Sequence, residues 1–490
     1  MKIDIFLNNS SIKHSMNIKT SQDELKITSD IRNIDEKTIY FHLKKVGSEK
    51  YEFPQFNDKR PFLTVCEDGI SGEFEDNAIV IVKNARELLA YTLSEENQID
   101  YSKIKIIGIT GTNGKTSTSQ MLFEILKKAG FSVGYIGTGI IKINEEILND
   151  RYYSMTTPDP EVLYSVIAKM QNQGCNYIVM EVSSHALELR KTAPIKFECG
   201  IFTNLSSEHM DFHKDIDSYF KSKLKLFEEC NIGIFNLDDE YSALAYNEVK
   251  IEKYSVGIIN KANAYITDLK YSGLYGSSFF YRENNLIFKL SLHLPGCFNI
   301  YNSLIAAKCA IALGIEPCIV KKGLESITSI KGRMEKLSDN PLVIIDYAHT
   351  PNAFKNALKT VNYNKKTKQN TIVVFGCGGD RDKEKRCEIG KITEELADQI
   401  IITEDNSRSE SPTEITKDIL SGMTSYDKVI TIEKRSDAID YAVRNAGKND
   451  IVLILGKGDE KYIINSDGYL PYSDREEVYK ALDRRKNNAD

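Results

Sequence analysis

The segment GITGTNGKTST, residues 108–118, constrains the fold of this chain more than any other part of its sequence. An apolar run over residues 104–109 leads into its glycine-rich turn, and a helical pattern starts near Lys115. A strand, such a turn and a helix in this order form a phosphate-binding loop, because glycines let successive backbone N–H groups point at phosphate oxygens. The loop is a variant of the common spacing G-x-x-x-x-G-K-[ST], since its glycines are Gly108, Gly111 and Gly114.

Outside this loop, the spacing of apolar residues predicts an α/β fold with more than one domain. The chain has 490 residues, which exceeds what one hydrophobic core accommodates. Across residues 104–330, short apolar runs alternate with amphipathic helices, which predicts a mainly parallel sheet with crossover helices. Residues 262–293 alternate apolar with polar side chains and predict an antiparallel extension of that sheet. Five further strands within residues 342–456 predict a second α/β unit.

Composition excludes several classes of function. The formal net charge of −6 gives no general affinity for nucleic acid or anionic lipid. No apolar run approaches the roughly 18 residues that a membrane span needs, and the N-terminus lacks the apolar core of a signal peptide. The nine cysteines include no C-x-x-C pair, which indicates reduced thiols, so we expect a cytoplasmic protein.

Polar side chains in the loop and at two predicted strand ends are candidates for a nucleotide and metal site. Lys115 would reach the β- and γ-phosphates of a nucleotide, and Thr116 would offer its hydroxyl to Mg²⁺. Glu181 and His209 each follow an apolar run, and ligand groups gather at the carboxyl ends of parallel strands. A carboxylate and an imidazole beside a triphosphate suit Mg²⁺ or Mn²⁺. Taken singly, Glu181 could cap a helix and His209 could be a surface histidine.

Eight short motifs mark a resemblance to a known family. In order along the chain they are GITGTNGKT, MEVSSHAL, FTNLSSEHMDFH, LPGCFNIYN, KGRME, IDYAHTP, FGCGGDRDKEKR and GKGDE. Over about residues 104–480, the sequence resembles the Mur ligase family, whose loop reads T-G-T-N-G-K-T and so accounts for the variant glycine spacing. Within that family, it is most similar to the ligases that add the third amino acid to UDP-N-acetylmuramoyl-L-alanyl-D-glutamate.

The resemblance implies a three-domain α/β fold and a ligase reaction. The expected domains are a small, divergent acceptor domain for the UDP-sugar (1–100), a central P-loop ATPase domain (101–331) and a C-terminal Rossmann-like domain for the amino acid (332–490). The γ-phosphoryl group of ATP would move to a substrate carboxylate, and an amine would attack the resulting acyl phosphate. ATP and Mg²⁺ are the implied cofactors, and the UDP-linked muramoyl dipeptide and diaminopimelate are the implied substrates of peptidoglycan precursor synthesis. We expect a monomer.

The resemblance also implies a role for individual residues. The nucleotide would contact Gly111, Thr112, Asn113, Gly114, Lys115, Thr116, Asn299, Asn302, Arg333 and Asp346. The acceptor would contact Thr156, Thr157, Ser183, Arg190 and Lys191. The amino acid would contact Arg381, Asn406, Arg408, Gly456 and Glu460. The catalytic residues would be Lys115, Glu181, His209 and Lys223, and metal ions would bind Thr116, Glu181, His209 and Lys223. The two asparagines could also cap a helix.

Lys223 carries an unusual expectation. In the ligases that this chain resembles, the lysine fourteen positions after the histidine is carbamylated, and its carbamate can bind a second Mg²⁺. Lys221 and Lys225 are close neighbours, so a solvated helix face is the alternative. Register alone favours Lys223.

The segment TEDNSRSESP determines which amino acid we expect. Diaminopimelate enzymes of the family carry D-N-P-R, whose arginine binds the distal carboxylate, a group that lysine lacks. Arg408 is present here, whereas Ser407 replaces the proline. We therefore predict meso-diaminopimelate rather than L-lysine, with a surface arginine near Glu410 as the alternative for Arg408.

Departures from the family pattern leave other functions open. Ile31 stands where the family usually has a serine near the uridine diphosphate, and the segment 44–56 replaces a glycine-rich stretch. The ligase could therefore join an amino acid to a different carboxylate in a specialised pathway. A nucleotide-binding scaffold without catalysis is a second alternative. An ordinary P-loop kinase or GTPase is a third, although no N-K-x-D guanine signal follows a strand.

Overall fold

The computed structural model describes residues 12–16, 24–44, 51–56, 59–74, 77–148 and 155–487. Their strands form three sheets, of five, eleven and six strands, and one separate hairpin, and helices cover the sheets, so the predicted α/β class is confirmed. Part of the divergent segment 44–56 lies outside the described residues. Among the residues described, no helix combines the length and the apolarity that crossing a membrane requires.

The first sheet is small and mostly parallel. Its strands are β1 (Ile12–Met16), β2 (Lys26–Thr28), β3 (Thr38–Phe41), β4 (Leu63–Glu67) and β5 (Ile79–Val82). They lie in the order β1-β5-β4-β3-β2, and only β1 pairs antiparallel with its neighbour. The helix Ala85–Glu96 follows β5, as the sequence predicts, and Asn84 caps it by accepting a hydrogen bond from the N–H of Glu87.

The second sheet has eleven strands and carries the glycine-rich loop. The strands are β6 (Lys105–Thr110), β7 (Val133–Gly137), β8 (Ile140–Ile143), β9 (Glu146–Ile147), β10 (Tyr177–Glu181), β11 (Phe197–Phe202), β12 (Cys230–Asn236), β13 (Glu252–Gly257), β14 (Ala264–Tyr271), β15 (Ser277–Glu283) and β16 (Leu286–Leu292). Their order is β16-β15-β14-β13-β12-β11-β6-β10-β7-β8-β9, which places β6 between β11 and β10. Pairing is parallel from β14 to β7.

Antiparallel strands extend this sheet at both ends. The extension predicted at 262–293 is present, because β14, β15 and β16 pair antiparallel. A second extension at the other edge, formed by β7, β8 and β9, was not predicted. Gly139 and Asn144 mark its two turns. Each turn spans few residues, and the surrounding stretch also suits a parallel strand.

Helices cover both faces of the second sheet. They are Lys115–Lys128, Pro160–Asn172, Ser184–Glu188, Ile216–Leu224, Glu240–Glu248, Phe298–Ala312 and Pro317–Glu325, with 3₁₀ turns at Lys225–Glu229 and Gly273–Tyr275. The helix after the glycine-rich loop packs against Phe298–Ala312 and Pro317–Glu325 on one face. Apolar side chains of β6 and β10 alternate between this core and a second core on the opposite face.

The third sheet contains all five strands predicted between residues 342 and 456. Its strands are β17 (Glu335–Asp339), β18 (Leu342–Asp346), β19 (Thr371–Phe375), β20 (Gln399–Ile402), β21 (Val429–Thr431) and β22 (Ile451–Leu455), in the order β17-β18-β22-β19-β20-β21. All pairs are parallel except β17 with β18. Its helices are Pro351–Tyr363, Glu384–Leu396, Pro412–Leu420, Arg435–Asn445 and Asp474–Asn487, and the hairpin of β23 (Tyr462–Asn465) and β24 (Gly468–Pro471) lies beside it.

Candidate active site

The turn between β6 and its helix has the geometry of a phosphate-binding loop. Gly111 and Gly114 adopt φ of 139° and 86°, a region that disfavours other residues. Gly114 directly precedes the helix Lys115–Lys128, whose first N–H groups have no partner within the helix. A Cβ atom on Gly114 would lie 2.5 Å from Oδ1 of Asn302, so the loop packs tightly against the helix Phe298–Ala312. The turn thus presents backbone donors at a helix N-terminus.

Two lysine side chains converge on one carbonyl of this loop. Nζ of Lys115 donates to the carbonyl oxygens of Gly111 and Thr112, each at 2.9 Å. Nζ of Lys223 donates to the same oxygen of Gly111 at 3.1 Å. Burial lowers the pKa of Lys115 and holds that of Lys223 well below its ordinary value, and the charge of Lys115 adds to the effect on Lys223. Anionic phosphates would supply the negatively charged partner that these two amines lack among the described residues.

Glu181 lies at the end of β10, beside the first turn of the loop's helix. Its Oε2 accepts a hydrogen bond from the hydroxyl of Thr116 at 3.1 Å, and its Oε1 accepts one from Tyr135 at 2.8 Å. The carboxylate is fully buried, and Ser183 rather than Glu181 caps the helix Ser184–Glu188. The structure therefore places Glu181 next to the loop hydroxyl and excludes the helix-cap interpretation.

His209 belongs to a cluster of charged and aromatic side chains around a buried carboxylate. Its φ is 60°, and its Nε2 lies 3.7 Å from Oε2 of Glu208. Burial lowers the pKa of His209 to about 3, so the imidazole is neutral at neutral pH. Nε2 of His349, from the third sheet, lies 2.7 Å from Oε1 of Glu208. Burial alone would raise the pKa of Glu208, yet both imidazoles hold it well below its ordinary value.

Of the three lysines in the helical segment that follows, only Lys223 is buried. Its side chain is 1% exposed, and Nζ lies 4.4 Å above the ring of Tyr219. Lys221 is exposed, whereas Lys225 pairs with Glu188 at 2.6 Å. The solvated-face interpretation therefore does not hold for Lys223. Among the residues that the structure describes, Lys223 forms no ion pair with a carboxylate.

The remaining nucleotide candidates lie around the same loop. Nδ2 of Asn302 donates to Oδ1 of Asn299, and neither asparagine caps the helix Phe298–Ala312. A guanidinium nitrogen of Arg333 donates to the hydroxyl of Thr116 at 2.9 Å, which links the third sheet to the loop.

Asp346 ends β18, and its carboxylate accepts hydrogen bonds from two backbone N–H groups. Burial raises the pKa of Asp346, and Arg333 opposes that shift. Thr112 and Asn113 are held by the segment after β11.

The acceptor candidates fall into two groups. The hydroxyl of Thr157 donates to the carbonyl of Glu181 at 3.0 Å and accepts from the N–H of Ser183 at 3.0 Å. Thr156 lies 3.0 Å from Thr138, which is itself next to Glu181. Thr156 and Thr157 thus lie at the end of β10, beside the glycine-rich loop. Lys191 and Arg190 instead pair with acidic residues, at 2.6 Å from Asp159 and Glu228 respectively.

The amino-acid candidates meet at the carboxyl edge of the third sheet. The Nδ2 atom of Asn406 donates to Oε2 of Glu460 at 3.0 Å. Gly456 has φ of 114°, and a Cβ there would lie 2.6 Å from Oδ2 of Asp405. The guanidinium of Arg408 is half-buried and donates to the backbone carbonyls of Gly379 and Asn406, at 2.7 and 3.2 Å. Glu410 pairs with Arg386 instead, so the surface-pair interpretation of Arg408 is wrong.

Two arginine side chains, Arg408 and Arg381, lie near each other at this edge. Burial lowers the pKa of Arg408, and the charge of Arg381 adds to the shift. A Cβ on Gly378 would lie 3.1 Å from Arg408 and 3.7 Å from Arg381. Arg381 is exposed and faces Asp211 of the central sheet at 3.7 Å, two residues after His209. In the described part of the chain, Arg408 forms no ion pair with a carboxylate.

Sequence reasoning missed several residues that hold the site together. They are Glu208, Asp211, His349, Arg386 and Lys457. Each lies inside a motif quoted for the family resemblance, so the signal was a charged residue in the same motif as an assigned one. A charged residue that is buried in the fold cannot be separated by sequence alone from one that faces solvent.

The residues around Glu181 fit a magnesium ion. The described residues include no group of three His, Cys, Asp or Glu side chains that would hold a metal alone. Magnesium usually takes one or two carboxylates and completes its shell with phosphate oxygens and water. The buried carboxylate of Glu181 beside the hydroxyl of Thr116 provides part of that donor set, whereas His209 contacts Glu208.

Two family models cover most of the site. The Mur ligase middle domain matches residues 109–310, and the Mur ligase glutamate ligase domain matches residues 332–458. The chain belongs to the Mur ligase family. The expected family and its ligase class are thereby confirmed.

Individual relatives extend the similarity over nearly the whole chain. The chain is 34% identical over 481 residues to a UDP-N-acetylmuramoyl-L-alanyl-D-glutamate–2,6-diaminopimelate ligase of Clostridium tetani, covering 96% of this chain and 98% of that protein. A solved ligase of the same description superposes with a TM-score of 0.62 at 26% identity, covering 95% of this chain and 96% of that one. The MurF ligase of Thermotoga maritima in complex with ADP shares the fold, with a TM-score of 0.59 at 14% identity and coverages of 95% and 99%.

Proposed function

We propose that this chain is an ATP-dependent ligase that joins meso-diaminopimelate to UDP-N-acetylmuramoyl-L-alanyl-D-glutamate in peptidoglycan precursor synthesis. The observation that carries the choice of amino acid is the state of Arg408. Among the described residues, its half-buried guanidinium donates only to two carbonyl groups, and the charge of Arg381 lies nearby. A carboxylate of the substrate would complete this site. Diaminopimelate has a distal carboxylate for that position, and lysine does not.

The loop side of the site would activate the acceptor. Transfer of the γ-phosphoryl group breaks its bond to the β-phosphate oxygen and forms a bond to a carboxylate oxygen of the acceptor. Lys115, whose ammonium now caps two loop carbonyls, would turn to the phosphates and offset their repulsion of that carboxylate. Thr116, Glu181 and His209 would hold Mg²⁺. When bound, Mg²⁺ would neutralise phosphate charge.

The amine would then attack the acyl phosphate. A bond forms between the amine nitrogen and the carbonyl carbon, phosphate leaves with its bonding electrons, and the nitrogen loses a proton. We propose that Asn406 and Glu460 bind an ammonium end of diaminopimelate and that Arg408 binds its distal carboxylate. A contact between the central and the third sheet supports this arrangement, because Arg381 of the third unit faces Asp211 of the central unit at 3.7 Å.

Acceptor binding is assigned to the segment around Glu181. Thr156, Thr157 and Ser183 lie within hydrogen-bond distance of this strand end or its neighbours, which supports contacts near the reacting carboxylate. Lys191 is buried against Asp159, and Arg190 is paired with Glu228, so both would have to exchange partners to bind the acceptor. We further propose that the protein acts as a monomer in the cytoplasm, where ATP is available and its nine unpaired cysteines stay reduced.

A different acceptor is the second candidate function. Ile31 is 42% exposed in the first unit, at the position where the family usually carries a serine. An apolar side chain there cannot replace a hydroxyl in binding a polar group. The same ligase chemistry on another carboxylate, or with L-lysine as the amine, would accommodate this departure.

A crossed assay separates these candidates. The protein is incubated with ATP, Mg²⁺ and each combination of two acceptors, the UDP-linked dipeptide or free L-alanyl-D-glutamate, and two amines, meso-diaminopimelate or L-lysine. We expect release of ADP and phosphate to depend on the UDP-linked dipeptide together with diaminopimelate. Turnover with lysine at equal efficiency would contradict the role of Arg408. Turnover only with the other acceptor would favour the second candidate.

A further inference from the structure

A fully buried lysine underlies the amino-acid site and has no role in the reaction described above. Lys457 follows β22, and its side chain is 0% exposed. Its Nζ donates to Oδ1 of Asn406 at 3.0 Å and to Oε2 of Glu460 at 2.8 Å, and Oδ1 of Asp405 lies at 3.6 Å. A buried charge is costly unless partners compensate it, so these three oxygens hold the ammonium in one place.

The contact with Lys457 determines which way the amide of Asn406 points. Oδ1 of Asn406 accepts from Nζ of Lys457 and from the backbone N–H of Ile464, at 3.0 and 2.9 Å. A rotated amide would turn its NH₂ group toward both donors and leave each without an acceptor. Only one orientation satisfies the network, and it directs Nδ2 of Asn406 at Glu460.

The same lysine determines what Glu460 offers to a ligand. Oε2 of Glu460 accepts from both Nδ2 of Asn406 and Nζ of Lys457. Within the residues described, Oε1 accepts no hydrogen bond, and the side chain keeps 17% of its surface exposed. That oxygen is left for a cationic donor, such as an ammonium group.

The charged groups around the site agree with these separate roles of the two carboxylate oxygens of Glu460. Burial alone would raise the pKa of Asp405, yet the charges of Lys457 and Arg435 hold it below its ordinary value. Asp405 and Glu460 share the charge of Lys457, and Arg435 is itself paired with Asp474, so this group of side chains keeps an excess negative charge that attracts a cation. Arg408 and Arg381 provide the opposite charge at the far side of the same edge.

We propose that Lys457 is a positioning residue for the amino-acid substrate. It holds Asn406 and Glu460 so that Oε1 of Glu460 receives an ammonium group of a diamino acid. This role rests on the proposed function for the identity of that amino acid. In the described part of the chain, the side chain of Lys457 contacts no residue assigned to the nucleotide or to the acceptor, so its effect should be confined to amine binding.

The test compares Lys457→Met with wild type in the ligase assay. Methionine keeps an unbranched side chain of similar length and removes the charge. We expect the KM for diaminopimelate to rise about tenfold or more, because Asn406 and Glu460 lose their fixed donor. The KM for ATP and for the acceptor should change by less than about twofold. The matched control is Lys461→Met, which removes an exposed lysine paired with Asp459 at 3.1 Å and should leave all three values unchanged.

A double-mutant cycle distinguishes positioning from general stability. Glu460→Gln alone should raise the KM for diaminopimelate, and adding Lys457→Met should raise it little further, because the shared contact is already broken. Where Lys457→Met does not fold, Lys457→Gln keeps a hydrogen-bond donor without the charge, and the same selective rise in KM is expected. Thermal unfolding of each variant shows which fraction is folded.

Three results would overturn the proposal. They are an unchanged KM for diaminopimelate in a folded variant, an equal rise in the KM for ATP, and additive effects in the cycle. Failure of the proposed function has a different signature, since the wild type itself would then not turn over diaminopimelate. In that case, calorimetric binding of diaminopimelate and of lysine to wild type and Lys457→Met decides the positioning role in the same way.

Discussion

At the residue scale, the loop contains cations that have no anionic partner in the described structure. Lys115 and Lys223 both donate to the carbonyl of Gly111, a neutral acceptor that offsets little of their charge. Burial lowers the pKa of both amines for this reason. Arg408 repeats the pattern at the amino-acid site, where two carbonyls accept its hydrogen bonds. Lys115 and Arg408 are therefore placed to gain an interaction when an anionic substrate binds.

Removing the guanidinium of Arg408 should affect one substrate only. In Arg408→Ala we expect the KM for diaminopimelate to rise by about 10- to 100-fold, since hydrogen bonds to a charged group contribute about 1.5–3 kcal/mol. The KM for ATP should stay near the wild-type value, as should both constants in the control Arg444→Ala, which removes an exposed arginine paired with Asp440. Steady-state kinetics with each substrate varied in turn measures the split. Equal effects on both substrates would refute the assigned role.

Lys223 should react with carbon dioxide. Its pKa is held well below the ordinary value by burial and by Lys115, so more of the amine is neutral, the form that adds to CO₂ with loss of a proton. With ¹³C-bicarbonate present, we expect a carbamate carbon signal by NMR in wild type. The signal should be absent in Lys223→Arg and retained in Lys221→Arg, which changes an exposed lysine of the same helix. A signal that survives Lys223→Arg would assign the carbamate elsewhere.

At the scale of secondary structure, the sequence predicts where the site forms better than how it is held. The strands β6, β10, β18 and β22 are continuous apolar runs, because both faces of a parallel sheet are buried, and their ends position Glu181 and Asp346. The extension of β7, β8 and β9 was not predicted, because its two tight turns interrupt the pattern of apolar residues over only a few positions. The hydrogen bond between Arg333 and Thr116 joins residues that are 217 positions apart, and no local sequence pattern predicts such a contact.

The close approach of the loop to the helix Phe298–Ala312 gives a prediction at this scale. Gly114→Ala introduces a left-handed strain of about 1–2 kcal/mol and a Cβ atom 2.5 Å from Oδ1 of Asn302. The matched control is Gly130→Ala, since Gly130 has φ of 88° but no atom within 4 Å of the added Cβ. Both variants should lower the melting temperature, and only Gly114→Ala should also weaken ADP binding by about tenfold or more. Calorimetric titration with ADP and Mg²⁺ measures this, and equal ADP affinity in the two variants would contradict it.

At the scale of the whole molecule, three contacts join the central sheet to the third sheet across the site. Arg333 reaches the loop hydroxyl of Thr116, His349 reaches Glu208, and Arg381 faces Asp211. Away from the site, the two units also meet where Asn364 accepts a hydrogen bond from the N–H of Leu274 and Tyr363 donates to the carbonyl of Tyr271. Because the nucleotide would bind on one unit and the amine on the other, catalysis requires the two units to be held together while both are bound.

The contact between His349 and Glu208 is the one that a single substitution tests most directly. Both ring nitrogens of His349 face oxygen acceptors, Oε1 of Glu208 at 2.7 Å and the carbonyl of Tyr347 at 2.9 Å, so the ring is fixed across the boundary. In His349→Ala the buried carboxylate of Glu208 loses the imidazole that lies 2.7 Å from its Oε1. We expect kcat to fall by about tenfold or more while the protein stays folded, because the two units are no longer aligned for transfer.

Scattering and a matched variant decide whether that loss reflects alignment of the two units. Small-angle X-ray scattering with ADP, Mg²⁺ and diaminopimelate should show a smaller radius of gyration than without ligands in wild type, and a weaker contraction in His349→Ala. Lys480→Ala, which removes an exposed lysine paired with Glu477 at 2.8 Å, should contract as wild type does. His349→Gln keeps a donor toward Glu208 and should recover part of kcat. If His349→Ala contracts fully and still loses kcat, His349 acts on the reacting groups and not on the boundary between the sheets.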